Sequence, residues 1–531
     1  MKPDRPVSPA FTLLLAVLLA FLPACSEPAG PAASAVGAKT LRIALRSEPP
    51  TLDPSLATDT ISFDLLTNLM EGLTQYDANL QPIPAVAERW EFSEGGRVIR
   101  FFIRDNAAWS DGKPVTAHDF EYSWKRLLNP ATAAEYAYFL FDIENAYEYN
   151  SGTIQDPAQV GVRAESDRVL YVRLKRPVIY FPSIATFMVT APLRKDVIEQ
   201  YGDRWTDPAH IVTNGAFTLK EWRHEYKLLL EANPLHFEGR PAIDQVRVYL
   251  VRDAATELTL YETGELDVTG LPPVAIPEFR NHAEFRNRPL LRGYYYGFNV
   301  EKAPFDKPLV RRALAHAVDR SRFPVILKGE EVPTASWIPK GMFAYNPDIG
   351  PRFDPEHARR LLSEAGYPQG RGFPAFSIHY NTDPTNQLIA QYVQAQWRQH
   401  LGLDVTLEEM EWKVFLKRLQ VDPPPVYRLG WGADFPDPDN FMNLFTSTSG
   451  NNHSRWGNPR YDRLIADAAA EADPQKRQGL YDQAQRLLTE EDVPIISMFV
   501  TTKSMLVAPR VRGFHLNAME LMYLKKVELV E

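Results

Sequence analysis

Side chains able to do covalent chemistry are scattered through this chain rather than set at catalytic spacings. There is no H-E-x-x-H pair to hold zinc, no G-x-S-x-G elbow to expose a serine and no Walker A loop to cradle phosphate. The 11 histidines include no pair at i, i+3 or i+4 that would face a common metal. The glycines of GYPQGRG (366–372) follow a predicted helix, whereas a dinucleotide-binding loop opens one. Acids at Glu408-Glu409 and Glu490-Glu491-Asp492 read as solvated faces or helix ends. The single cysteine, Cys25, excludes an intramolecular disulfide and any cysteine-based metal cluster. One pair of opposite charges stands out, Arg428 and Asp434 in RLGWGAD. In an extended chain alternate residues share a face, so the two would point to one side. A structural ion pair, or a turn aspartate beside Pro436, is the plainer reading of each. The chemistry available is that of binding, with no cofactor and no metal expected.

The elements that would position these residues alternate between strand and helix patterns. LRIALR (41–46), VIRFFIR (98–104), VLYVRLK (169–175), YKLLLEAN (226–233) and QVRVYLV (245–251) read as strands, as does VYRLGW after the rigid Pro423-Pro424-Pro425. Helical spacing of apolar residues runs over 60–70, 254–263, 308–318, 355–366, 385–400, 412–419, 459–472 and 474–489. Thr116 and Asp119 form a capping-box pattern ahead of another helix. Asp354-Pro355 is an N-cap followed by proline at the first helical position. Interleaved elements of this kind predict a mixed α/β class with several sheets.

The N-terminus reads as an address. Lys2 and Arg5 precede the apolar run 10–22 (AFTLLLAVLLAFL), which is too short to cross about 30 Å of hydrocarbon as a helix but suits a signal peptide. It ends in Leu22-Pro23-Ala24-Cys25, similar to the lipobox of bacterial lipoproteins, so Cys25 is the expected lipidation site and 1–24 the removed segment. An ordinary signal peptide with an incidental cysteine is the alternative. The stretch 25–38 is rich in small residues and proline, a flexible tether to a body that begins near Lys39.

At 531 residues the chain holds about three domains at roughly 150 residues each. Its net charge of −9 argues against a nucleic-acid partner, though a local basic patch can hide in the total. Hydrophobic residues at 45% leave ample core for a globular body.

Ten segments in order resemble the oligopeptide-binding proteins of bacterial ABC importers, the family-5 extracellular solute-binding proteins. They are EPPTLDPSLATD (48–59), EGLTQYD (71–77), WSDGKPVTAHDFEYSW (109–124), IVTNGAFTLKEW (211–222), YETGELDVTGLPP (261–273), YYYGFN (294–299), VRRALAHAVDR (310–320), ARRLLSEAGY (358–367), EWKVFL (411–416) and GWGADFPDPDNF (430–441). The resemblance implies a type II periplasmic-binding-protein clamshell with two hinged lobes and an extra domain. Lobe I would comprise 39–70, 195–292 and 502–531, the inserted domain 71–194 and lobe II 293–501. It also implies a periplasmic, membrane-anchored, monomeric lipoprotein that is not an enzyme. Such a protein captures short peptides and hands them to the permease and ATPase subunits of an importer.

A peptide trap must satisfy an ammonium, a carboxylate and backbone donors and acceptors. By resemblance Asp434 takes the ammonium, and Arg428 meets a ligand carboxylate. Trp431 and Trp412 line side-chain pockets, with core packing as the alternative, and Tyr136 lies over the peptide's N-terminal end. Thr58 and Thr60 follow LDP on the stretch facing the ligand backbone, with Gly430, Gly432 and Tyr295 on the opposite wall. Arg292 is a charge where a small neutral residue is expected. It either sees ligand or pairs with an acid such as Glu265 or Asp267. Leu419 and Asn386 stand where some relatives carry a basic residue or histidine. A dedicated muropeptide or dipeptide binder is the nearest alternative, followed by a peptide-processing lipoprotein and a chaperone-like role.

Overall fold

The computed structural model describes residues 38–530. The expected signal segment 1–24, Cys25 and the tether up to residue 37 lie outside the described residues. Three sheets organise the body. The first has four strands in the order Thr40–Leu45, Gln245–Leu250, Lys227–Ala232 and Phe217–Arg223. Its first pair is parallel and the others antiparallel. The second is an antiparallel sheet of Ala87–Ser93, Val98–Ile103, Val169–Arg173 and Val162–Ser166, wholly within 71–194. The third has seven strands, six of them in the order Val268–Gly270, Ile495–Val507, Phe285–Phe298, Val426–Gly432, Phe376–Asn381 and Val405–Met410, with Val332–Pro333 on Ile495–Val507. Its first half is antiparallel and its second half parallel. The helices Pro384–Leu401 and Trp412–Val421 make the crossovers that parallel strands require.

Local chemistry starts the helices where expected. The Asp119 carboxylate accepts the Thr116 backbone N–H at 2.8 Å and completes the capping box of Ala117–Leu128. Asp354 accepts the N–H of His357 at 2.8 Å, with Pro355 opening its helix. The helix expected over 474–489 is α-helical through Arg486 and then widens into a π turn over Leu487–Glu491.

Apolar packing joins these layers. Residues of the first two sheets share one continuous hydrophobic cluster, including Leu41, Phe101, Phe120, Trp124 and Phe217. The seven-stranded sheet is covered on both faces. Tyr294, Tyr296 and Phe298 pack with Val310, Leu361 and Trp397 on one side, while Tyr295 and Tyr427 pack with Trp337, Tyr461 and Tyr481 on the other. Two covered faces explain why YYYGF shows no alternation.

The strands Phe285–Phe298 and Ile495–Val507 cross the expected lobe boundaries at 292/293 and 501/502 without interruption. They pair antiparallel along their length, with register shifts between Pro289 and Gly293 and between Tyr294 and Tyr295.

An ion pair fixes the LDP loop to the helix Ala117–Leu128. Asp53 is buried and accepts both terminal nitrogens of Arg126, at 2.9 and 2.7 Å, and the indole N–H of Trp205 at 3.2 Å. Removing it leaves a largely buried guanidinium unpaired. Asp53→Ala should therefore lower unfolding stability by about 3–5 kcal/mol in chemical denaturation. A loss below about 1 kcal/mol would show that water replaces the pair.

Candidate ligand-binding site

The strand Val426–Gly432 is paired along one edge and, among the described residues, only at its start on the other. Arg292 stands opposite Gly432, Gly293 opposite Trp431 and Tyr294 opposite Gly430. The parallel pairing on the other edge reaches only Val426 and Tyr427. Among the described residues, Arg428 to Gly432 have no strand partner there. Their N–H and C=O groups form an edge that another extended chain can join. The glycines keep this region slim: a Cβ on Gly430 would sit 3.0 Å from the Gly293 carbonyl oxygen.

Asp434 lies just beyond the strand, on the wall of a cavity of about 580 Å³. Its backbone N–H donates to Asn440 Oδ1 at 3.1 Å, the same oxygen that accepts the Trp431 indole N–H at 2.9 Å. The Asp434 carboxylate accepts from the Tyr138 hydroxyl at 3.3 Å and from Asn440 Nδ2 at 3.4 Å. Among the described residues no cation pairs with it. Loss of water pushes its pKa up to about 6, and the two hydrogen bonds only partly oppose that rise.

Tyr138 was not among the expected site residues, yet it supplies the hydroxyl. It remains 47% exposed while making this bond. Tyr136 stacks on it, ring centres 5.5 Å apart, and packs on Phe63, Phe139 and Phe187. Burial, and secondarily the Asp434 charge, push the Tyr136 phenol up to about 12. Both tyrosines occur in AEYAYF, and nothing in that spacing says which one points at the acid.

Arg428 and Asp434 do not share a cavity, which corrects the expectation from strand parity. The strand ends at Gly432 and the chain then turns to meet Asn440, so alternation stops before Asp434. Arg428 lines a second cavity of about 210 Å³ with Arg292, Trp412, Gly430, Gly432 and Trp431. Trp431 borders both spaces. The Arg428 guanidinium lies 4.4 Å over the Tyr294 ring and donates to Asn381 Oδ1 at 2.9 Å. Its Nε is buried without a hydrogen-bond partner among the described residues. Asn386 is buried beneath, bonded to Asn381 and to the Tyr294 hydroxyl, so it braces the platform. Leu419 is fully buried core. Trp412 opens its helix and stays 44% exposed.

Arg292 follows the second of its two expected readings with a different acid, and two other expectations are corrected. Arg292 pairs with Glu520 at 2.6 Å, and Glu520 also meets Lys503 at 3.5 Å. Asp267, one of the acids expected for Arg292, is held instead by Arg42 and Arg510. Tyr295 is not on the ligand wall. Its ring is buried against Trp337, Tyr427 and Phe445. Thr60 lines a separate cavity of about 250 Å³ beside Asp64, Lys503 and Glu520 rather than the Asp434 chamber. Thr58 is exposed on the loop before it.

The raised Asp434 pKa has a stability consequence. A carboxyl whose folded pKa lies above its unfolded value destabilises the fold once it ionises. Without ligand, Asp434→Asn should thus become progressively more stable than the wild type from about pH 4 to about pH 6, with a constant difference above that. Thermal unfolding across this range measures it. A difference independent of pH would mean that Asp434 is well solvated.

Comparison with known proteins bears on what this arrangement does. The family described as bacterial extracellular solute-binding proteins, family 5 Middle, matches residues 81–453. The periplasmic oligopeptide-binding protein OppA of Salmonella typhimurium is 36% identical over 483 residues, 88% of each chain. The probable deoxycholate-binding periplasmic protein YgiS of Escherichia coli is 34% identical over 493 residues, 91% of this chain and 92% of that one. Among solved structures, the periplasmic murein tripeptide binding protein MppA in its unliganded open form superposes with a TM-score of 0.84 at 31% identity, covering 93% of this chain and 98% of the other. The fold is accordingly the type II periplasmic-binding-protein clamshell, and proteins of this kind serve transport by binding and are not enzymes. This chain belongs to the family-5 bacterial extracellular solute-binding proteins.

Proposed function

We propose that this protein captures short peptides by their free amino end and main chain and delivers them to an ABC importer. The observation that carries the reading is the desolvated Asp434 carboxylate, unpaired by any described cation, at the end of the open edge Arg428–Gly432. An ammonium supplies the missing charge. A peptide backbone supplies donors and acceptors for the edge, and sequence-independent affinity follows. The Arg428 guanidinium, with its unpartnered Nε, is the candidate partner for a ligand carboxylate or another acceptor. The names of the relatives agree with this class: oligopeptide-binding for the Salmonella protein, murein tripeptide binding for the solved one. The deoxycholate-binding relative is the instructive exception, because deoxycholate has no ammonium to offer.

The Asp434 chamber is lined both by 138–184 and by 431–451, so a ligand seated there touches the inserted domain and lobe II together. Closure about the two crossing strands would improve those contacts, and only such differential contact can drive closure. We place the protein outside the cytoplasmic membrane, anchored through an acylated Cys25, on the strength of the apolar run and the Leu-x-Ala-Cys ending. The permease and ATPase subunits of an importer are its partners in this reading.

Calorimetry tests the assignment. Asp434→Ala should weaken binding of a free tripeptide such as trialanine by about 2–5 kcal/mol, about 30- to 4,000-fold. N-acetyl-trialanine should fail on the wild type to a similar degree. Equal affinity for the free and acetylated peptides would refute the ammonium site. Deoxycholate binding with no response to either peptide would transfer the protein to the other ligand class. Small-angle scattering should give a smaller radius of gyration at peptide saturation, and an unchanged profile would exclude closure.

A further inference from the structure

The chamber at Asp434 holds more negative charge than one ammonium can answer. Three carboxylates line it, Asp142, Asp434 and Asp439, against a single cation, Arg176. Arg176 Nε donates to Asp142 at 3.2 Å. The Tyr180 hydroxyl donates to Asp439 Oδ2 at 3.0 Å. Asp439 Oδ1 has no hydrogen-bond partner among the described residues, although the residue is only 3% exposed. The nearby Arg477 directs both of its terminal nitrogens to Asp437, at 2.8 and 2.7 Å, and makes no hydrogen bond to Asp439 among the described residues. Burial, and secondarily the Asp437 charge, push the Asp439 pKa up to about 7. In the empty protein it thus relieves its isolation by holding a proton part of the time.

We propose that Asp439 is a second cation subsite in this chamber, selecting peptides whose first residue carries a basic side chain beside its free amino group. The proposal rests on the peptide reading, which already commits one ammonium to Asp434. With Asp439 ionised, two carboxylates and one guanidinium then remain, and a second ligand cation balances them in place of the proton. The walls suit such a side chain. Phe139, Phe141, Tyr180 and Phe435 offer apolar surface to its stem and aromatic faces to its charge. Tyr180 and Phe435 are stacked at 5.3 Å, so this surface is already organised. An acidic first residue would add a fourth carboxylate to the same space and is disfavoured.

Competition calorimetry on the wild type at pH 7 compares four tripeptides ending in Ala-Ala, with lysine, Nε-acetyl-lysine, norleucine or glutamate first. The lysine peptide should bind about tenfold or more tighter than the norleucine and acetyl-lysine peptides, with glutamate weakest. Moving lysine to the third position should bring no gain over trialanine. In Asp439→Asn, which keeps an acceptor for Tyr180, the lysine-to-norleucine ratio should fall to about one. Equal affinity for lysine and norleucine in the wild type overturns the proposal. So does a preference that survives in Asp439→Asn, or an equal gain at the third position. If the variant does not fold, the wild-type comparisons decide alone. If none of these peptides binds, the peptide reading falls and this proposal with it. If all bind alike, only this proposal falls.

Discussion

Asp434 sits where the strand Val426–Gly432 has run out and water is scarce, and no described cation offsets its charge. A carboxylate in that position raises the energy of the empty protein, because it must either ionise in poor solvent or take up a proton. The surrounding structure makes this tolerable without removing it. Asn440 holds the backbone and indole donors of the loop, and Tyr138 contributes one long hydrogen bond from the other side of the chamber. While the carboxyl is ionised, a ligand that brings positive charge would relieve this cost. In the proposed reading that constraint gives the site its polarity, with the ligand amine at Asp434 and the ligand chain along the open edge, while Arg428 lies on its tyrosine platform in the adjoining cavity.

The frame around this site is set by the paired strands Phe285–Phe298 and Ile495–Val507. They run unbroken between the two parts of the body, and their shifted register occurs near Pro289–Gly293. The same neighbourhood carries the Arg292–Glu520–Lys503 cluster, whose members come from both crossing strands and the C-terminal segment. Charges at this junction are thus bound to one another, whereas charges in the Asp434 chamber are left in excess.

Much of this was legible in the residues. Helices announced by caps, such as Ala117–Leu128 and Pro355–Glu364, begin where Thr116 and Asp354 predict. Strands with one polar face were equally plain. The crossing strands carry no such signal: both faces of YYYGF are covered, and the register shift at Tyr294–Tyr295 breaks any period. The resemblance that puts Tyr295 among the ligand-binding residues carries no information on which face its ring takes, and the ring packs in the core. The parity argument for Arg428 and Asp434 failed because a side-chain acceptor, Asn440, captured the backbone two residues after the strand ended. Asp439 looked like one acid among several in DFPDPDNF. Only its burial, and the commitment of Arg477 to Asp437, set it apart.

Proton exchange on binding tests the central claim most directly. Calorimetry of trialanine binding in buffers of different ionisation enthalpy counts the protons moved. At pH 6 about half the Asp434 carboxyls carry a proton in the free protein, and pairing with an ammonium expels it, so about half a proton should be released per peptide. At pH 8 the sign should reverse, because the peptide's own amine, with a pKa of about 8, must take up a proton to bind. Tight binding at pH 6 with no proton released would contradict the account, since Asp434 would then not be the group that meets the amine.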